Sequence, residues 1–98
     1  MKESEFQKKF LDDVRDIFPD ALILKNDSSY KQGIPDWSVI VGQKAALLEI
    51  KIEKDAHKQP NQKYYINERN NKGGFGRFVY PENKNEVMVE MIEYFNNK

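Results

Sequence analysis

Asp36, Glu49 and Lys51 are spaced so that they could act on one another. The run Ala45 to Ile52 (AALLEIKI) reads as a strand, and strand side chains alternate between two faces. Leu47, Glu49 and Lys51 therefore share one face, and Leu48, Ile50 and Ile52 share the other. A carboxylate and an ammonium thus stand two residues apart inside a strand that otherwise looks like core. Ionised groups are costly to bury unless they are paired or bind a metal. Asp36 follows Pro35 and opens the neighbouring strand, so it can reach the strand end beside Glu49. Two carboxylates held close repel each other, and a hard cation such as Mg²⁺ relieves the repulsion. A lysine next to that cation can orient or help deprotonate a water nucleophile. The combination suits phosphodiester hydrolysis. Taken singly the parts are bland: Glu-x-Lys is common in solvated strands, and Pro-Asp is a frequent turn dipeptide. Specificity lies in the joint pattern of Pro-Asp, a short hairpin and Glu-x-Lys, with a helix in front and another behind.

The elements that must position these residues are legible as patterns. Ser4-Glu5-Phe6-Gln7 reads as a capping box with Ser4 as N-cap. Phe6, Phe10, Leu11, Val14, Ile17 and Phe18 then recur at helical spacing until Pro19, which predicts a helix over about 5–17. Ala21 to Leu24 is a short apolar run consistent with a buried strand, and Asn26 to Gly33 a polar loop. Trp37 to Val41 and Ala45 to Ile52 form a hairpin around Gly42-Gln43-Lys44. Lys54 to Gln59 reads as a polar linker. Pro60 fits the first position of a helix that runs to about Asn70, where Gly73-Gly74 breaks it. Phe75 to Tyr80 is a strand stopped by Pro81. Asn83 can cap a last helix in which Val87, Met88, Met91, Ile92 and Phe95 keep helical spacing. The order is α-β-β-β-α-β-α, in one domain spanning 1–98.

Composition narrows the chemistry. A chain of 98 residues supports one small core. It has no cysteine and one histidine, which excludes disulfides, zinc–thiolate sites, cysteine nucleophiles and multi-histidine zinc. No apolar run approaches the roughly 20 residues that span a membrane, and no signal-peptide core follows Met1; a soluble, cytoplasmic domain is expected. Any catalysis must run on carboxylates, lysines and an oxygen-loving metal. The 16 basic and 16 acidic residues cancel overall, yet residues 51–80 hold seven basic groups against three acidic. A local basic patch can bind phosphate while the whole chain stays neutral; the competing reading is a solvated lysine-rich surface. Lys54, Lys58 and Lys63, with Lys31 in the loop before Asp36, are the expected DNA-binding residues. His57 lies in the polar linker, exposed or touching phosphate.

Gly33-Ile34-Pro35-Asp36 followed by Leu48-Glu49-Ile50-Lys51 resembles the signature of the PD-(D/E)XK nuclease superfamily, and the α-β-β-β-α-β order is similar to its core. Within that superfamily the chain most resembles the VRR-NUC type, whose small stand-alone members occur in viruses of bacteria. Glu5 resembles the family's helix-one glutamate, with Glu3 also near the helix start. Gln59-Pro60-Asn61-Gln62 with Tyr65 resembles the segment that opens the next helix, and Gly73-Gly74 the turn after it. The likeness spans about residues 4–80.

The resemblance implies an α/β fold, with a central mixed sheet flanked by helices, and a Mg²⁺ cofactor for which Mn²⁺ substitutes. It implies that Asp36 and Glu49 ligate the metal, with the Ile50 carbonyl as an added ligand. Glu5 completes or orients that shell, Lys51 positions the attacking water, Gln62 supports the site, and Tyr65 assists. It also implies a bacterial or phage-infected cell as the setting. The expected activity is an endonuclease selective for branched DNA such as four-way (Holliday) junctions. A DNA-binding module with the same fold and no catalysis, and a small interaction protein, are the alternatives. Because so small a chain covers little DNA, a homodimer is expected. Phe75, Phe78, Met88, Met91 and Phe95 are candidates for its interface or for core.

Overall fold

The computed structural model describes residues 1–27, 29–54 and 60–97; His57, Lys58 and Gln59 lie outside them. The elements are α1 (Glu3–Ile17), β1 (Leu22–Lys25), β2 (Trp37–Val41), β3 (Lys44–Ile50), α2 (Pro60–Asn71), β4 (Phe75–Val79) and α3 (Lys84–Asn96). The four strands form one sheet in the order β1-β2-β3-β4. The first three pair antiparallel and β4 joins β3 in parallel. The expected α/β order is therefore the one observed. A parallel partner for β3 requires a crossover connection, and α2 supplies it.

Register and burial give the sheet two unlike faces. Ile23, Val39, Ala46, Leu48, Ile50, Phe75 and Val79 fall on one face by pairing and alternation. That face carries the core. On α1, Phe6, Phe10, Leu11 and Val14 are buried, and on α3, Val87 and Met91; both stripes join the strand residues in one cluster. Spacings of three and four along α1, and of four along α3, put these residues on a single stripe of each helix. The opposite face holds Leu22, Leu24, Ser38, Ile40, Ala45, Leu47, Glu49 and Gly76. There α2 packs over β4, with Ile66 and Gln62 its buried residues. A Cβ on Gly76 would meet the Ile66 carbonyl oxygen at 2.9 Å, so glycine lets the helix lie close. Beside it the Asn70 amide takes up both the N–H and the C=O of Gly76.

Several expectations are corrected. The capping box does not form: Lys2 is the N-cap, without a side-chain cap bond, and Ser4 and Gln7 lie inside α1. A tertiary contact claims Gln7 instead: its Nε2 donates to the Ile50 carbonyl at 2.9 Å, and beside it Glu3 Oε1 accepts from the Ile52 amide at 3.0 Å. The first strand, expected to be buried, is an edge strand with Leu22 54% and Leu24 43% exposed. Of the residues offered as dimer interface or as core, Phe75 and Met91 belong to the core, while Met88 and Phe95 pack partly against it. Among the described residues, part of the basic stretch is engaged within the chain. Arg77 is bonded to Glu90 and Asn70, and Arg69 and Lys72 pair with Glu68. Among the described residues no helix is long and apolar enough to cross a membrane.

Candidate active site

The two carboxylates meet because the β2–β3 hairpin aligns their backbones. Val41 and Lys44 close it through the two-residue turn Gly42-Gln43, with Gly42 at φ +61°. Pairing then runs to Trp37 opposite Leu48, which brings Asp36 level with Glu49. The Asp36 amide donates to Glu49 Oε1 at 3.1 Å. The other oxygen, Glu49 Oε2, is buried and lacks a hydrogen-bond partner; it faces the Lys51 ammonium at 3.3 Å, an ion pair without hydrogen-bond alignment. Lys51 is partly buried, and its own amide bonds to the Val79 carbonyl, continuing the β3–β4 ladder by one residue. Asp36 is partly exposed and pairs with Lys25 at 3.5 Å.

Glu49 is the anomaly of this sheet. It is 0% exposed, among the largest fully buried side chains of the molecule. Burial pushes its carboxyl above the usual carboxylate range and the Asp36 charge pushes the same way; Lys51 and the Asp36 amide oppose them without cancelling them. A buried carboxylate with one oxygen lacking a hydrogen bond, a second carboxylate and a lysine on one sheet end is an arrangement that a cation would relieve. Among the described residues no group of three or more His, Cys, Asp or Glu side chains gathers for a metal. The donors are thus two carboxylates and the Ile50 carbonyl, whose second lone pair remains beside its bond from Gln7. One or two carboxylates with waters and substrate oxygens is the ordinary protein environment of Mg²⁺, so the donor set fits that ion.

The surroundings hold this geometry from three sides. Asn26 straps the approach to β2: its amide N–H donates to the Asp36 carbonyl at 2.7 Å, its side chain to the Pro35 carbonyl at 2.8 Å, and it accepts from Ser38 Oγ. Gly33, at φ +84°, lies so close to α2 that a Cβ would fall 2.2 Å from the Asn61 Cβ; only glycine fits both the backbone and the space. From α1, Glu3 and Gln7 clamp the exit of β3.

Of the residues expected in the site, Asp36, Glu49, Ile50 and Lys51 are brought together. Glu5 is exposed on α1, whereas Glu3, one turn before Gln7, reaches the strand exit. Gln62 is buried under α2. Tyr65 is partly buried with Lys31 Nζ 5.4 Å from its ring centre. Lys54 and Lys63 are exposed. Gln7 and Asn26 carry contacts that were not expected of them. For Gln7 a signal existed: Glu3, Gln7, Phe10 and Val14 fall on one helical face, so Gln7 borders the core stripe. For Asn26 the sequence holds no such signal.

No family model matches the chain, and neither a curated protein nor a solved structure does.

Proposed function

We propose that this chain is a Mg²⁺-dependent endodeoxyribonuclease of the PD-(D/E)XK superfamily, VRR-NUC type, that cuts branched DNA such as four-way junctions in the cytoplasm of a bacterial or phage-infected cell. The observation that carries the reading is Glu49: a fully buried carboxylate held against Asp36 and Lys51, at a cost that packing alone does not explain. A DNA-binding module without catalysis accounts for exposed lysines and leaves that cost unaccounted for.

In this reading Asp36, Glu49 and the Ile50 carbonyl hold the cation, which supplies Lewis-acid polarisation of the scissile phosphate. Lys51, on the same strand face as Glu49, holds the attacking water by one of its N–H donors and steadies the negative charge that grows on phosphorus oxygens. The Asp36 amide fixes Glu49 Oε1, which leaves Oε2 to turn toward the site. Gln7 and Glu3 keep the β3 exit from shifting when charge enters. A P–O bond forms from water, whose proton passes to solvent, the ester P–O bond breaks, and the departing oxygen takes its proton from solvent.

The second copy in the proposed homodimer seats on the sheet face that α2 leaves open. Leu22, Leu24, Ile40, Ala45 and Leu47 lie there without a charged neighbour at their pairing positions. A neutral apolar patch can face its own copy across a two-fold axis, where a basic one would repel itself.

The test of function is direct. Purified protein with Mg²⁺ is given linear, flapped and four-way-junction DNA of matched length. Cleavage of the junction ahead of the linear duplex, stopped by a chelator, is expected. Absence of cleavage on every substrate with Mg²⁺ and with Mn²⁺ contradicts the reading.

A further inference from the structure

One feature beside the carboxylates has no role in holding or cutting a phosphodiester. The β1–β2 loop and the first turns of α2 meet at the site end of the sheet, joined by Gly33 against Asn61 and by Asn61 Nδ2 on the Gln32 carbonyl. At that junction stand three tyrosines. Tyr30, in the loop, is 92% exposed, and Tyr64, on α2, is 59% exposed. Tyr65 links the two segments: its ring meets Tyr64 edge to face at 5.3 Å, and Nζ of Lys31, the chain neighbour of Tyr30, sits over its face at 5.4 Å. The Lys31 charge also reaches the Tyr64 phenol, whose hydroxyl is tied back to Glu68 and whose pKa is raised mainly by that bond. Lys63 is exposed in the same turn of α2.

The rings do not serve the fold. Neither Tyr30 nor Tyr64 belongs to the core or to its margin, and a single exposed tyrosine would need no explanation. Here two exposed rings and a third half-covered one are interleaved with lysines, on the end of the sheet where Asp36 lies. Flat aromatic faces among cations are the surface that takes unstacked nucleobases. Every base has a π-face to stack, and the neighbouring phosphates meet the ammonium groups. Paired duplex offers such a surface only phosphates, because its bases are stacked inside.

We propose that Tyr30 and Tyr64, set among Lys31 and Lys63, form a stacking face that receives unpaired bases of the substrate next to the cut site. The proposal rests on the nuclease reading for its substrate and deepens it: selectivity for branched DNA comes from bases that a branch point frees, without reading their edges.

The experiment measures binding of fluorescent DNA by anisotropy, in chelator so that nothing is cut. Two ligands are used, a blunt duplex and the same duplex with a short unpaired bulge. Wild type, Tyr30→Ala, Tyr64→Ala, the double variant and Tyr30→Phe are compared. Wild type should prefer the bulged ligand. Each alanine should reduce affinity for it by roughly five- to a hundredfold, the range of one lost base–aromatic stack, with duplex affinity little changed. Tyr30→Phe should keep the preference, since the ring and not the hydroxyl does the stacking. Both residues are surface-exposed, so these variants fold. An unchanged bulge-to-duplex ratio in the double variant overturns the stacking face, and the nuclease reading survives if wild type still cuts. A ratio that collapses as expected in a protein that cuts nothing upholds the stacking face and removes the nuclease.

Discussion

Lys51 and Glu49 divide the labour of the candidate site, and their variants should fail in different ways. Lys51 supplies one contact to the reacting centre and at most one of several phosphate-facing charges. Lys51→Ala should therefore slow cleavage by about 10²–10³-fold, the usual weight of one preorganised donor aimed at developing charge, while DNA affinity changes by only about two- to threefold. Single-turnover cleavage alongside binding separates the two; a variant that cuts at the wild-type rate leaves Lys51 a purely structural ion pair. Glu49 is a stability cost in the metal-free protein, because burial and Asp36 disfavour its charge more than Lys51 restores it. Glu49→Gln removes that charge and keeps the shape. In chelator it should melt above wild type; a gain of about 1 kcal/mol would appear as ~4–8 °C in a domain of this size. Mn²⁺ should then raise the wild-type melting temperature and leave the variant unmoved. A variant that melts lower in chelator would show that Glu49 holds the fold together.

Among the elements, the loop between β1 and β2 carries the most constraint in the fewest residues. Gly33→Ala meets both a left-handed backbone and the Asn61 side chain. The strained backbone alone costs about 1–2 kcal/mol, and the clash must push the loop off α2, carrying Pro35 and Asp36 with it. Cleavage should fall more than stability does. Gly42→Ala is the control: φ is also positive, yet nothing lies within 4 Å of the added Cβ, so it should cost stability and spare the rate constant. Equal rates for both variants would detach the loop from the site. The sequence announces Gly33 only as part of a motif; the reason for it, a helix from 28 residues further on, is a tertiary fact. The hairpin and its Asp36–Glu49 register were readable because alternation and a short turn are local. So was the face shared by Glu49 and Lys51. The burial of Glu49 was suggested by its apolar neighbours. What local pattern could not reveal was that β1 lies at an edge, since a four-residue apolar strand reads the same in the middle of a sheet. Nor could it show that Gln7 would leave its capping role for the Ile50 carbonyl, or that Glu3 would reach the Ile52 amide.

At the scale of the whole molecule, one sheet face is filled by two helices and the other is half covered by one. The open half is where a second copy is expected. Leu22→Lys with Leu24→Lys places four like charges across the proposed two-fold interface and disturbs no buried residue. Light scattering should give the mass of two chains for wild type and 11.6 kDa for the variant; a wild-type mass of 11.6 kDa contradicts the dimer. Each chain would bring one cation site to the assembly, and cleavage depends on that site. Its most direct test is calorimetric titration with Mn²⁺ of wild type and Asp36→Ala. Binding of one ion per chain in the wild type, lost in the variant, is the expected result. Equal binding by the two proteins would contradict the account at its centre.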